Sequence, residues 1–432
     1  MQRRGDIKNI LFAALLFLLF IPYLNNKFKF IELTGLNGSF QKKERPLWSF
    51  QNWFSGSFQE LFVDYQKENI AFRSLFVRLR NQMYWWSGRE SRTKNVVVGK
   101  DDFLFEQGYI DAYTGSDLKA STHFNRVVLE LKLAQDSLEK KGISFLVVLA
   151  PGKASFFPEY IPDHLLQKRK SQTNYQLLSA TLQRHRVNTI DFHNWYLQKK
   201  QTAKFPLYSK GGIHWSNYGC WLAMDSLIRY YENYFQKNMV SLQLGPVQFS
   251  DSVMKPDNDI GESMNLLFPL KPSRMAYPQV SWEKNENAFR PKLFAVADSY
   301  FWQMYFNGFD DFVFSNLRLN YYNKQVYYTN FKGKLNEEKS ESFIFGKFNT
   351  DAVLMMATDA NLKDFPWGFE KQLIEGLNLE GKTELIQKAV REMEEKIRNS
   401  PEWMKSIQEK AMQRNISVDS MIKMDARWMI MN

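Results

Sequence analysis

The start of the chain combines a basic terminus with a long hydrophobic run. Ile10 to Leu24 is apolar throughout except for Pro22, and Arg3, Arg4 and Lys8 precede it. As a helix this run rises about 22 Å, which is less than a hydrocarbon core of about 30 Å. No small-x-small cleavage sequence follows it, so we expect an uncleaved signal anchor over residues 1–30. The preceding positive charges predict that the N-terminus stays inside and that the main domain lies outside the inner membrane, in the periplasm.

Aromatic and apolar residues recur at three- and four-residue spacing from residue 46 to 90, a pattern that predicts amphipathic helices. We therefore assign residues 31–94 to a helical linker region. Residues 95–105 then alternate a Val run, a polar Gly-Lys-Asp-Asp turn and Phe-Leu-Phe, which predicts a β-hairpin.

The next segments alternate between helix and strand. Apolar residues recur at helical spacing from Phe124 and stop before Gly142, and Ile143–Ala150 is almost continuously apolar. A second helix (Tyr175–His185) leads into a short strand, Val187–Asp191. Strand, helix and strand in succession predict parallel pairing, and hence an α/β fold with layered helices and a mostly parallel central sheet.

The second half of the chain interrupts this alternation. A helix is predicted over Asn217–Phe235. Residues 237–291 scatter prolines with little periodicity, so we expect an irregular insertion that borders the functional site or contacts a partner. Apolar strands are predicted at Lys292–Ala297 and Asp351–Thr358, the latter being the last strand of the sheet. Residues 376–432 are charged and helically patterned, which predicts a C-terminal helical appendage.

The composition of the chain limits the classes of binding partner to be expected. The formal net charge is +11, and aromatic residues make up 16% of the chain. A basic surface favours nucleic acid, membrane headgroups or acidic polymers. Because the main domain is expected outside the cytoplasm, nucleic acid is not an expected partner. Cys220 is the only cysteine, so an intrachain disulfide and a four-cysteine zinc site are both excluded. We expect no cofactor and no metal.

Two residues stand where nucleophilic chemistry could occur. The elbow, zincin, phosphate-loop and dinucleotide signatures are absent from the sequence. Ser299 follows a predicted strand, and His214 lies in a Gly-Gly-Ile-His-Trp loop before a helix. A serine hydroxyl becomes nucleophilic when an imidazole accepts its proton. Taken alone, a strand-terminal Asp-Ser is more often a helix N-cap.

Five segments of the chain stand out by their order and spacing. They are Gly99-Lys100-Asp101-Asp102-Phe103-Leu104-Phe105, Val147-Val148-Leu149-Ala150-Pro151-Gly152-Lys153, Pro158-Glu159-Tyr160-Ile161-Pro162, His214-Trp215 and Ala297-Asp298-Ser299-Tyr300. This arrangement resembles the alginate O-acetyltransferase AlgJ/AlgX-like family, an SGNH hydrolase-like, DHHW-type group. The resemblance covers about residues 48–375 and implies an SGNH-like three-layer fold, with the acyltransferase domain over 95–375.

The resemblance implies that Ser299 is the nucleophile and His214 the general base. Gly212 stands where the family carries the aspartate that orients the imidazole, and loss of that group in a serine triad costs about 10⁴ in turnover. From the sequence, Asp191 or a backbone carbonyl could take its place.

The remaining candidate residues have weaker signals. We count Asp298 with the catalytic residues, in a role that shapes the nucleophile turn. Lys153, Trp215 and Tyr305 are the candidate substrate-binding residues. Trp302 is a less favoured candidate for a sugar subsite, because aromatic residues after a strand usually fill the core.

The function implied by the resemblance is extracytoplasmic O-acetyl transfer, through a serine acyl-enzyme, to a hydroxyl of a cell-envelope or secreted polysaccharide. The implied partner is a multi-pass membrane-bound O-acyltransferase that supplies acetyl groups. One alternative is a catalytically weakened member that binds glycan or acts as a scaffold for that acyltransferase. An esterase that removes acetyl groups is the third possibility.

Overall fold

A central β-sheet organises this computed structural model, which describes residues 2–38, 43–283, 287–330, 332–340 and 349–431. Within those residues the sheet has the order β10-β9-β8-β7-β11-β3-β4. Neighbouring strands from β8 to β4 are parallel, and β9 and β10 extend the β8 edge with antiparallel pairing. The sheet is therefore mixed. The strands are β1 (Val96–Val98), β2 (Leu104–Glu106), β3 (Ser144–Ala150), β4 (Thr189–Asp191), β5 (Leu242–Ser250), β6 (Met275–Trp282), β7 (Lys292–Ala297), β8 (Asn316–Tyr321), β9 (Gln325–Thr329), β10 (Leu335–Lys339) and β11 (Ala352–Thr358).

Helices cover both faces of this sheet. Helices α6, α9 and α14 pack on one face, and α5, α11 and α13 belong to the core on the other. The α-helices are α1 (Gln2–Phe28), α2 (Phe50–Phe54), α3 (Ser57–Asn69), α4 (Arg73–Gly88), α5 (Gln107–Thr114), α6 (Ser121–Glu139), α7 (Lys153–Phe156), α8 (Asp163–Leu166), α9 (Asn174–Arg184), α10 (Phe192–Lys199), α11 (Asn217–Phe235), α12 (Asp259–Ser263), α13 (Tyr300–Met304), α14 (Phe369–Gly376), α15 (Glu380–Arg398), α16 (Pro401–Gln413) and α17 (Val418–Met431).

The predicted parallel strands are confirmed. Strands β3, β4, β7 and β11 form where the apolar runs predicted them, and all seven residues of β3 and of β11 are buried. The final strand in sequence, β11, lies at the centre of the sheet between β7 and β3. A strand with helices on both faces has no solvent side, which explains its continuous apolar sequence. The antiparallel extension by β9 and β10 was not predicted.

The linker helices and the hairpin also follow their patterns. Helices α2, α3 and α4 form within residues 46–90, and β1 pairs antiparallel with β2. The insertion, in contrast, is more regular than its prolines suggested: β5 and β6 pair antiparallel and the short helix α12 lies between them. Two prolines lie within this ribbon. Pro246 lies in the register shift between Leu244 and Val247, and Pro278 pairs with Val247. Residues 284–286 of the insertion lie outside the described residues.

Helix α1 is longer than its apolar run. Its segment Lys8–Phe28 is the one described helix that is long and apolar enough to cross a membrane. Pro22 lies inside the helix without ending it. Twenty-one residues of helix rise about 31 Å, so the helix reaches the length that Ile10–Leu24 alone lacked.

The C-terminal helices form a core of their own. The buried side chains of α15, α16 and α17 contact one another and form a cluster that is separate from the two cores beside the sheet, with Ile397, Ile407 and Ile422 among its most buried members. We therefore propose that residues 376–432 are an appendage whose stability is largely independent of the main domain.

Removal of residues 380–432 is expected to leave the rest of the chain folded, since the cluster it removes packs on itself. The apparent melting temperature should fall by less than about 4 °C, which corresponds to about 1 kcal/mol for a domain of this class. Thermal unfolding of the full and shortened chains in detergent measures this. As a control, a cut that also removes α14 should prevent folding, because Phe369 and Leu373 are buried against the sheet.

Candidate active site

Ser299 lies at the carboxyl end of β7, in the turn that leads into α13. It occupies the N-cap position of α13, but its side chain makes no capping hydrogen bond. The hydroxyl instead lies 3.0 Å from Nε2 of His214. Of the two interpretations left open by the sequence, a capping serine and a serine paired with an imidazole, the geometry fits the second.

Asp298 holds the turn that presents Ser299. Its buried carboxylate accepts hydrogen bonds from the backbone N–H of Tyr300, the N–H and hydroxyl of Thr358 and the amide of Asn361, at 2.7–3.1 Å. Burial raises the pKa of the Asp298 carboxyl, and these donors oppose that rise. No contact between Asp298 and His214 is among its hydrogen bonds, so its geometry fits the turn-shaping role and not a role in proton transfer.

Asp259 is the acid that meets the imidazole. Its Oδ2 lies 2.8 Å from Nδ1 of His214, and its Oδ1 accepts the backbone N–H of Ile213 at 2.8 Å. Because Nδ1 must carry a proton to donate to a carboxylate, this contact leaves Nε2 free to accept the Ser299 proton. Ser299, His214 and Asp259 thus form a continuous hydrogen-bonded relay.

Gly212 explains why the acid comes from elsewhere in the chain. A Cβ at this position would lie 2.6 Å from Oγ of Ser209 and 2.7 Å from the carbonyl oxygen of Pro256. The insertion therefore fills the space in which a side chain at 212 would begin. The same segment places Asp259, at the start of α12, against the imidazole.

The sequence-based alternatives for this acid are wrong. Asp191 instead caps α10 through the backbone N–H of Asn194 and accepts the hydroxyl of Tyr175. Asp259 is 45 residues from His214 and lies in a segment without a recognisable motif, so spacing could not find it. The insertion borders the candidate site, which is one of its two expected roles, and an acidic residue within it was the available signal.

Asn258 fixes this insertion to the histidine loop. A Cβ on Gly211 or on Gly261 would lie 2.1–2.2 Å from the Asn258 side-chain oxygen, so both glycines are needed for the side chain to fit between them. The N–H of Gly261 also donates to the carbonyl of Gly211 at 3.0 Å. These contacts hold the acid-bearing helix against the loop that carries His214.

Lys153 was predicted to bind substrate, and the structure contradicts this. The side chain is fully buried, and its ammonium donates to the carbonyl oxygens of Lys210 and Gly212 at 2.7 Å each. Burial lowers the pKa of Lys153 to about 7, and the charge of Asp259 opposes the decrease. Lys153 therefore supports the backbone of the histidine loop from below and has no surface to offer a glycan.

The two predicted aromatic contacts to substrate are also wrong. Trp215 is fully buried and packs against Tyr196 and Tyr300. The hydroxyl of Tyr305 contacts Thr329, and its ring is buried. Neither residue lines the cleft at Ser299. Trp302 does not line it either and packs against neighbouring aromatic rings.

A cleft of about 350 Å³ opens over the relay, and its lining includes Tyr322 and Glu106, which were not anticipated. Tyr322, in the turn after β8, lines the cleft together with Ser299, and burial raises its pKa. Part of the Glu106 side chain reaches solvent, yet desolvation and the charge of Asp259 raise the pKa of its carboxyl. Glu106 ends strand β2 and Tyr322 follows strand β8, and neither belongs to a motif that indicates a site.

Nothing in the described part of the chain gathers three or more His, Cys, Asp or Glu side chains in a cluster that could hold a metal ion.

Comparison with known protein families matches residues 96–295 to the SGNH hydrolase-like domain of acetyltransferase AlgX. The match confirms the family resemblance predicted from the motifs, and it ends just before Ser299. A search of curated proteins finds no match to the chain.

Three solved structures are similar to this chain. The O-acetyltransferase domain of Pseudomonas putida AlgJ is 14% identical (TM-score 0.40), with 65% of this chain and 99% of that one covered. Pseudomonas aeruginosa AlgX is 15% identical (TM-score 0.41), with 66% of this chain and 68% of that one covered. Bacillus cereus PatB1 is 12% identical (TM-score 0.37), with 62% of this chain and 96% of that one covered. These values are too low to add to the family match.

Asp259→Asn is expected to lower the turnover of an acetyl ester by about 10³–10⁴, because an amide no longer fixes the imidazole tautomer or stabilises its cation. Steady-state hydrolysis of p-nitrophenyl acetate measures this. Asp251→Asn, at an exposed carboxylate of the same insertion, is the matched control and should leave turnover unchanged.

A second variant tests the position of the acid. Adding Gly212→Asp to Asp259→Asn should not restore turnover and should lower the melting temperature, since a side chain at 212 collides with Ser209 and Pro256. Recovery of activity in the double variant would contradict the relocated relay.

Lys153 should make stability depend on pH. The unfolded chain keeps the lysine proton up to its usual pKa of 10.5, whereas the folded chain releases it above about 7. The free energy of unfolding should therefore rise, relative to Lys153→Met, by up to about 1.4 kcal/mol per pH unit between pH 7 and 10. Denaturant unfolding of both chains at several pH values measures the difference. As a control, the free energy of unfolding of Lys405→Met, at an exposed lysine, should follow the same pH dependence as that of the parent chain. If Lys153→Met also follows the parent, the lowered pKa assigned to Lys153 is refuted.

Proposed function

We propose that this chain, which carries an SGNH hydrolase-like domain of the acetyltransferase AlgX family over residues 96–295, moves an acetyl group from a donor to a polysaccharide hydroxyl through an acetyl-Ser299 intermediate. The observation that carries the proposal is the relay from Ser299 through His214 to Asp259, which opens into a cleft. A cell-envelope or secreted polysaccharide is the proposed acceptor.

In the first half of the reaction, Nε2 of His214 accepts the proton as Oγ of Ser299 attacks the acetyl carbonyl carbon. The imidazolium that forms is stabilised by Asp259. The protonated Nε2 then gives its proton to the leaving group as the bond to the donor breaks, which leaves acetyl-Ser299.

Charge that develops on the carbonyl oxygen needs donors beside Ser299. The Ser299 backbone N–H and the Tyr322 hydroxyl are the donors we assign to that oxygen, since Tyr322 lines the cleft beside Ser299. In the second half, His214 takes the proton of an acceptor hydroxyl, that oxygen attacks acetyl-Ser299, and the proton returns to Oγ of Ser299.

The location we propose is extracytoplasmic, with α1 as a single inner-membrane anchor and the main domain in the periplasm. This rests on the length and composition of Lys8–Phe28 and on the positive charges before it. A multi-pass membrane-bound O-acyltransferase is the proposed source of acetyl groups.

The alternative, a weakened member that only binds glycan or serves as a scaffold, rested on the absence of an acid at Gly212. Asp259 supplies a carboxylate at hydrogen-bonding distance from the imidazole, and the reason for expecting weakened catalysis is removed. An esterase would use the same relay with water as the acceptor, so acceptor choice separates the two enzymes.

Covalent acetylation of Ser299 is the direct test. The full chain in detergent, mixed with p-nitrophenyl acetate and quenched, should carry one acetyl group on the peptide that contains Ser299, as measured by mass spectrometry. Ser299→Ala should carry none there. Tyr322→Phe should still become acetylated, about 10²-fold more slowly, because one of two donors is lost.

Acceptor choice is read from the same intermediate. Addition of polysaccharide fragments should discharge acetyl-Ser299 faster than buffer does, with the acetyl group recovered on sugar. Absence of the adduct in the parent chain, together with normal polysaccharide acetylation in cells that carry only Ser299→Ala, would contradict the proposed function and favour the scaffold.

A further inference from the structure

An exposed apolar stripe runs along the outer side of α4. Phe76, Leu79, Met83 and Trp86 are 54%, 40%, 66% and 67% exposed, and their spacing of three, four and three residues places them on one helix face. Single exposed hydrophobic residues are ordinary, but four along about 15 Å of one helix form a contiguous patch of the kind that marks an interaction surface.

The orientation of α4 is set by its opposite face. The Asn81 amide donates to the carbonyl of Met264, the Gln82 side-chain oxygen accepts the N–H of Phe268, and Trp85 is buried in the core. A rotation that hid the stripe would break all three contacts. The stripe is therefore a permanent feature of the surface.

Neighbouring residues extend the stripe. The Trp86 ring stacks on exposed Phe268, with 5.9 Å between ring centroids. Helices α2 and α3, which precede α4, contain no buried residue. We call Phe268 and the four residues of the stripe the outer apolar surface.

The chain ties this surface close to the end of α1. Arg78, on α4, donates to the carbonyl oxygens of Thr34 and Gly35 at 3.0 and 2.6 Å. Helix α1 ends at Phe28, and the six residues from there to Thr34 span at most about 20 Å even when fully extended. If α1 crosses a bilayer, α4 lies within that distance of the bilayer surface.

The chemistry around the stripe suits a lipid interface. Tryptophan and tyrosine are enriched where headgroups meet acyl chains, and basic side chains beside them attract anionic lipids. Tyr84 and Arg80 lie on α4 beside the stripe and are exposed. The whole chain has a net charge of +11, which acts in the same direction.

We propose that the outer apolar surface rests on the bilayer crossed by α1, with the α4 stripe immersed at the boundary between headgroups and acyl chains. The proposal depends on the anchor in the proposed function and not on acetyl transfer. It gives the main domain one orientation on the membrane, because a helix tether and a fixed helix face together restrict rotation that a single anchor would allow.

Spin labels on the full chain in nanodiscs of mixed neutral and anionic lipid test this. Met83→Cys places a label on the stripe, and Met412→Cys on the appendage is the matched control, since both methionines are highly exposed. Cys220, the only native cysteine, is fully buried and should stay unlabelled. The label at 83 should be more accessible to oxygen, which dissolves in lipid, than to a water-soluble nickel complex; the label at 412 should show the reverse.

Other accessibilities of the label at 83 would contradict the proposed contact with the bilayer. A label at 83 that behaves like the one at 412 would overturn the proposal. A label at 83 reached by neither reagent, in discs that hold one chain, would mean that protein covers the stripe and would also overturn it; if shielding appears only with two chains per disc, the occupant is a second copy. Leu16→Cys, within α1, separates the two hypotheses. Lipid exposure at 16 with water exposure at 83 contradicts only this inference, whereas water exposure at 16 contradicts the anchor itself.

Discussion

The hydrogen bond between Nδ1 of His214 and Asp259 is the interaction on which the proposed chemistry of this molecule depends. It determines which ring nitrogen carries the proton, and so whether Nε2 can accept the hydrogen of Ser299. The carboxylate that makes it lies in an insertion between helix α11 and strand β7, far in sequence from the loop it serves. The relay is therefore assembled by packing between two segments, and anything that loosens the insertion also releases the imidazole.

Buried polar groups supply the rigidity that such an assembly needs. Lys153 binds two carbonyl oxygens beneath the histidine loop, and the Tyr300 hydroxyl donates to the carbonyl of Ile213 at 2.6 Å. A backbone carbonyl left without a donor in the interior costs roughly 1–3 kcal/mol, so each of these side chains restricts the loop to one conformation. Two residues that resemble substrate contacts in the sequence, Lys153 and Trp215, thus serve the loop from inside the protein.

The apolar surfaces of the molecule divide in the same way between interior and exterior. The sheet buries its strands on both faces, and the C-terminal helices bury their own cluster. Helices α2 to α4 keep large aromatic side chains outside although α4 uses polar residues, Asn81 and Gln82, for its inward contacts. Helix α4 thus buries one aromatic residue, Trp85, with two polar ones and leaves an apolar stripe exposed, which is the feature on which the proposed contact with lipid rests.

The sequence by itself determined the parallel strands and the pair of side chains at the candidate site. Continuous apolar runs predicted the parallel strands because a strand covered on both faces has no polar position, and the motifs around His214 and Ser299 indicated the two side chains that lie 3.0 Å apart in the structure. Which candidate residues are buried, and which acid contacts His214, were decided only by the tertiary structure. In the sequence Lys153 looks like a loop lysine, but in the structure it is buried and its ammonium donates to the backbone carbonyl of Gly212. Asp259 contacts His214 because the insertion fills the space beside Gly212, and no local spacing in the sequence encodes that contact between segments. The periodicity of apolar residues predicts the secondary-structure element to which a residue belongs, whereas a hydrogen-bonded relay depends on how separate elements pack against each other.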